Sequence, residues 1–125
     1  MLILDAGAFV AAERGNREVL ARVKHELQLG SAPVTNGAVV AQVWRGGRGK
    51  QVPVAQLLAG VDVAPVDDLL GKRAGMLLAL TGGQDAIDAS VVCLARDGDD
   101  ILTSDPGDLL ALSRTAGVHV ELIPV

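Results

Sequence analysis

Two short, wholly apolar segments, Leu2-Ile3-Leu4 and Ile101-Leu102, each run directly into an acid-bearing turn. Asp5 follows the first and Thr103-Ser104-Asp105 the second. Such runs are too short for helices, and no polar residue alternates through them, so they read as strands covered on both faces. Strands of that kind belong to sheets sandwiched between helices. The intervening chain agrees. Apolar residues recur at helical spacing in Val19, Leu20, Val23 and Leu27 between Asn16 and Leu29, and in Val39, Val40, Val43 and Trp44 behind a cap at Asn36. Leu57-Leu58 belongs to a short helix ending at Gly60, and Asp67 or Asp68 caps a longer one with Leu69, Leu70, Ala74, Leu77, Leu78 and Thr81. Ala32-Pro33-Val34-Thr35, Val61-Asp62-Val63 and the segment from His119 to Ile123 read as further strands, and Leu109 to Ala116 as a last helix stopped by Gly117. This alternation predicts an α/β fold, a three-layer α/β/α sandwich around a mostly parallel sheet, in one domain over residues 1–125.

With no Tyr, one Phe and one Trp, the core must be aliphatic. The lone Cys93 excludes an internal disulfide, fits a reducing cytoplasm, and reads as a small buried hydrophobe beside Val91, Val92 and Leu94. No apolar run approaches the roughly 18 residues of a membrane span. The start, with Asp5 so near Met1, does not resemble a signal peptide, so a cytoplasmic location is expected. The net charge of −4 conceals an asymmetry: residues 1–60 carry seven basic and four acidic side chains, residues 61–125 four basic and eleven acidic. An acidic chain is a poor general nucleic-acid binder, but a local basic patch can still hold phosphate. The only compact patch of that kind is Trp44-Arg45-Gly46-Gly47-Arg48-Gly49-Lys50.

Between Gln84 and Asp108 the acids stand where surface solvation does not require them. Ile87, Val91, Leu94 and Ala95 form one helix face, and Asp85 and Asp88, three apart, share another. Asp5 and Asp105 end strands, at the sheet edge where parallel α/β folds bind ligands. Asp5, Asp88 and Asp105 meeting there would repel one another by about 3 kcal/mol per pair at about 6 Å and an effective dielectric near 20. Either a cation or protonation of some members would offset that cost, and for a cation an all-oxygen donor set favours Mg²⁺ or Mn²⁺ over zinc. Neither His25 nor His119 has zinc-site spacing, and both read as surface residues. A cation held by few carboxylates suits phosphodiester hydrolysis by an activated water. Thr103 and Ser104 could orient the water or a carboxylate, and Arg45, Arg48 and Lys50 could hold a nucleic-acid backbone. Competing roles remain open: Asp5, Asp85 and Asp108 could each cap a helix. A phosphoaspartate receiver would need a second acid beside Asp5 and a lysine after residue 72, and the chain has neither. Phosphate-cradling glycine motifs are also absent.

Leu2-Ile3-Leu4-Asp5-Ala6-Gly7-Ala8, the helix Val39-Val40-Ala41-Gln42-Val43-Trp44-Arg45-Gly46, Asp88-Ala89 followed by a Val-rich helix, and Ile101-Leu102-Thr103-Ser104-Asp105-Pro106 together resemble a PIN-domain protein. The nearest likeness is to the VapC-type toxins of bacterial toxin–antitoxin pairs. The resemblance implies a cytoplasmic Mg²⁺-dependent endoribonuclease, a homodimer, held inactive by a cognate antitoxin protein. It assigns the metal-binding, catalytic carboxylates to Asp5, Asp88 and Asp105, with Asp85 and Asp108 as helpers. The chain departs from the pattern at Gln42, where the family has a glutamate on the third helix. The alternative that follows is a catalytically weak or inactive PIN-like module that binds RNA or protein. Ala11, Val54 and Leu58 are candidates for a dimer or antitoxin surface.

Overall fold

In the computed structural model, which describes residues 1–125, the chain runs β1 (Leu2–Leu4), α1 (Ala6–Glu13), α2 (Arg17–Gln28), β2 (Val34–Asn36) and α3 (Gly37–Val43). A single 3₁₀ turn at Gly49–Gln51 leads into α4 (Val52–Ala59), β3 (Asp62–Ala64), α5 (Asp68–Thr81) and α6 (Ala86–Val92). The chain ends with β4 (Asp100–Thr103), α7 (Pro106–Ala116) and β5 (Glu121–Pro124). The strands form one sheet in the order β3-β2-β1-β4-β5, and every pair is parallel.

That order has a consequence for function. From β1 the chain steps outward through β2 to β3, then crosses back to lay β4 and β5 on the other side of β1. Because crossovers between parallel strands are right-handed, reversing direction puts the later helices on the opposite face. The packing agrees: α1 lies against α2, α3 and α4, whereas α5, α6 and α7 pack on one another. The reversal falls between β1 and β4, whose register pairs Leu2 with Asp100, Ile3 with Ile101 and Leu4 with Leu102. At such a switch point the loops part and leave a crevice beyond the strand ends. Asp5 and Asp105 leave the sheet on either side of it.

The core is aliphatic as expected, with Phe9 its one aromatic and fully buried, while Trp44 lies outside it. Helix α1 is the main element that periodicity misses. Its residues are apolar nearly all round, and its buried members Gly7, Ala8, Phe9 and Ala12 do not fall on one narrow stripe. A helix of that kind is packed on several sides and shows no amphipathic signal. Its start is also crowded: a Cβ added at Gly7 would stand 2.7 Å from the Ser104 backbone nitrogen, so only glycine lets α1 reach the β4–α7 turn.

Other expectations are corrected in detail. On α2, Val19 and Val23 are buried, but Leu20 and Leu27 are exposed and line a shallow apolar depression with Leu57 and Pro53 of α4. On the third helix Val39 and Val43 are buried, Val40 is half-buried, and Trp44 stands past the helix end, exposed. Leu69 of α5 is exposed, Leu78 half-buried, and Leu94 and Ala95 follow α6 in the next turn. The last helix starts at Pro106, and the last strand is Glu121–Pro124. Val54 is fully buried in the core, which removes it from any docking surface; Ala11 and Leu58 are half-buried.

Candidate functional site

Asp5 is held in place on both sides. Its Oδ1 accepts the Ala6 N–H at 2.8 Å, which caps α1, and its Oδ2 accepts the Thr103 hydroxyl at 2.8 Å. The capping role left open for Asp5 is therefore observed, and its second oxygen is held by the threonine that ends β4. Only 3% of Asp5 is exposed. Thr103, fully buried, also accepts the Asp105 N–H at 3.0 Å, so one hydroxyl ties the ends of β1 and β4 together across the switch point. Asp105 occupies the cap position of α7, yet its carboxylate makes no capping bond and is free to face solvent.

On the other side of the crevice, Asp85 caps α6 by accepting the N–H groups of Ile87 at 3.0 Å and Asp88 at 2.9 Å. Asp88, in the first turn of the same helix, is 9% exposed and its carboxylate receives no hydrogen bond. Burial pushes its pKa from 3.8 up to about 7, and the charges of Asp85, Asp5, Asp105 and Asp108 push in the same direction. No basic side chain counters them. The acids expected to converge thus act on one another electrostatically. Asp108 is not the cap of α7; it lies in that helix's first turn, where Asp105 holds the cap position. Asp85, Asp88 and Asp108 line an open cleft of about 260 Å³ with Thr81, Gly83 and Ala111.

The spacing sets a limit on what this cluster can do as it stands. No three acidic, histidine or cysteine side chains lie at joint coordinating distance. The field at Asp88 and this spacing describe different things: Coulomb repulsion acts over many ångströms, whereas coordination by oxygen requires about 2.0–2.6 Å to the ion. Asp5 and Asp105 do not line the cleft that Asp85, Asp88 and Asp108 share, and reach Asp88 through their charge rather than by contact. Asp5, Asp88 and Asp105 could contribute hard oxygen donors, with Asp85 and Asp108 behind them.

A buried bond locks the α6 side of this arrangement. Asn36 caps α3 through Oδ1, at 2.9 Å from the Ala38 nitrogen and 3.1 Å from the Val39 nitrogen. Its Nδ2 donates to Ser90 Oγ at 3.0 Å, and Ser90 in turn donates to the Ile87 carbonyl at 2.6 Å. Asn36 was legible as a cap, but its partner Ser90 lies 54 residues away and carries no local signal. The other expected residues make no hydrogen bond or ion pair with these five acids. Ser104 borders a separate depression with Ala6, Gly7, Val10 and Arg14. Gln42 is exposed on α3 and is not hydrogen-bonded to any of the carboxylates. Arg45, Arg48 and Lys50 are exposed on the turn after α3, and Arg45 Nη1 is spent on the carbonyls of Ala41 and Trp44 at 3.1 and 2.6 Å. His25 and His119 are surface residues.

No protein-family model and no curated protein matches the sequence. Among solved structures the chain is similar to one described as VapBC2 from Rickettsia felis bound to a DNA fragment from their promoter. The TM-score is 0.71 at 11% identity, over 97% of each chain. At that identity the likeness carries the fold alone, and the fold is PIN-like.

Proposed function

We propose that this PIN-like chain is a Mg²⁺- or Mn²⁺-dependent endoribonuclease of the VapC kind, with Asp5, Asp88 and Asp105 holding the ion. The observation that supports it most is Asp88 beside the switch point, its pKa raised to about 7 first by burial and then by the charges of Asp85, Asp5, Asp105 and Asp108, with no basic side chain opposing them. When bound, the ion supplies Lewis-acid stabilisation of the phosphate and lowers the pKa of an attacking water.

The protein's own residues then have distinct tasks. Thr103, donating to Asp5 Oδ2, holds that carboxylate in one rotamer and fixes the backbone of Asp105. Asp88, desolvated and crowded, gains most from a neighbouring positive charge. Asp85 and Asp108 add negative potential without being buried. Arg48 and Lys50 present cations to the RNA backbone away from the acids. A homodimer in the cytoplasm and a cognate antitoxin protein belong to the same reading; the likeness to a VapBC2 chain favours a partner of the antitoxin kind. No helix is long and apolar enough to cross a membrane.

A second reading rests on Gln42. With a neutral amide where the family carries a glutamate, the chain would be a weak or inactive PIN-like module that binds RNA or protein. Loss of such a supporting anion costs roughly 10–100-fold in metal affinity or activity. One assay separates the two: cleavage of structured RNAs with Mg²⁺ or Mn²⁺, against chelator and against Asp5→Asn. The nuclease reading expects cation-dependent products from the wild type and none from the variant. Equal background from both, with RNA still bound, would leave the binding module.

A further inference from the structure

The turn from Trp44 to Lys50 carries three basic residues, and apart from the single 3₁₀ turn that begins at Gly49 no helix or strand sets its shape. Gln51 does. This side chain is 5% exposed and spends its full hydrogen-bonding capacity. Oε1 accepts the Arg45 N–H at 2.6 Å and the Gly47 N–H at 3.4 Å. Nε2 donates to the Val43 carbonyl at 2.8 Å and to the Glu13 carboxylate at 3.2 Å. One amide thus joins the end of α3, the turn and the end of α1. The Trp44 ring lies over Gly47, which has φ 71° and no room for a Cβ, so the turn is closed from the other side as well.

Two cations are left over by this arrangement. Arg45 bonds carbonyls at the end of its own helix, whereas Arg48 and Lys50 are exposed and have neither a salt bridge nor a side-chain hydrogen bond. Glu13, which Gln51 reaches, ends the eight-residue α1 that begins beside Asp5. At 1.5 Å per residue α1 is about 12 Å long, so the Glu13 contact of Gln51 stands about that far along the helix from Asp5, a span of a few nucleotides.

We infer that Gln51 is a positioning residue for RNA: by saturating the turn it holds Arg48 and Lys50 as one ledge for the phosphates that flank the acid crevice. The inference rests on the RNA reading above. A loop with three glycines would otherwise sample many shapes and lose binding energy to ordering.

The test is the affinity of a short fluorescent single-stranded RNA, in chelator so that no cleavage occurs, measured across a series of salt concentrations. Each phosphate contact contributes about 0.7 to the slope of log affinity against log salt. Arg48→Ala with Lys50→Ala is expected to lower the slope by about 1.4. Gln51→Met should lower it by about 0.7 or more, and should lower it no further when the two cations are already gone. A merely structural role would reduce melting temperature and active fraction but leave the slope intact, and that result overturns the inference. If the Arg48/Lys50 double variant keeps the wild-type slope, the ledge itself is wrong, and the RNA contacts of the proposed function lie elsewhere. Gln51→Asn, one methylene shorter and still polar, carries the same comparison if the Met variant does not fold.

Discussion

Replacing Asp88 by Asn should make the cation-free protein more stable at neutral pH. The carboxyl is protonated below about 3.8 in the unfolded chain and below about 7 in the folded one. Between those values the folded state binds more protons, so stability falls as pH rises, and above about 7 the penalty is complete. At 1.36 kcal/mol for each pH unit, the difference corresponds to roughly 4 kcal/mol. The open cleft beside Asp88 admits solvent, which reduces the effect to about 2–3 kcal/mol. Asn has nearly the same shape and no charge. The variant should therefore gain about 2–3 kcal/mol at pH 8, a rise of roughly 10 °C in melting temperature for a chain of this size. Near pH 4 the gain should vanish. Calorimetric melting in chelator at the two pH values measures both quantities. No gain at pH 8 would refute the argument. An equal gain at both pH values would also refute it, because it would trace to packing or helix propensity rather than to a buried charge.

Three further outcomes follow from particular contacts. Thr103→Val removes the hydroxyl that Asp5 Oδ2 and the Asp105 N–H share, and should cost about 1–3 kcal/mol in urea unfolding while weakening Mn²⁺ binding by calorimetry. Gly7→Ala drives a methyl into the Ser104 backbone, and should destabilise by about 1–3 kcal/mol in thermal melts, where an ordinary glycine-to-alanine change inside a helix would stabilise. Gln42→Glu should tighten Mn²⁺ binding by calorimetry; unchanged affinity would mean that this exposed side chain does not act on the crevice.

Much of the architecture was legible residue by residue. Short apolar runs ending in acids announced β1 and β4, and Asn16, Asn36, Asp67 and Asp85 announced the helices they cap. Helix α1 was not legible, since a helix buried on several sides has no polar face to set its period. Leu20 and Leu27 show the converse failure: helical spacing identifies an apolar face but not whether anything covers it. Asp5, Asp88 and Asp105 could be singled out in the sequence because strand ends and first turns are places where an acid has an orientation. Gln51 and Ser90 could not, because their partners lie 38 and 54 residues away and a polar residue in a polar stretch carries no local mark.

The amino-acid sequence by itself determined the alternation of strands and helices, the aliphatic core and the strand-end positions of the acids, because each depends on chemistry within a few residues. Tertiary structure alone decided that the chain reverses between β1 and β4, that one threonine hydroxyl bridges the two strand ends, and that Asp88 is buried within the field of four other carboxylates. Those outcomes depend on groups far apart in the chain being brought together, as Thr103 and Asp5 are at 2.8 Å across 98 residues, where burial weakens dielectric screening and a single hydrogen bond or charge changes the energy of its neighbours.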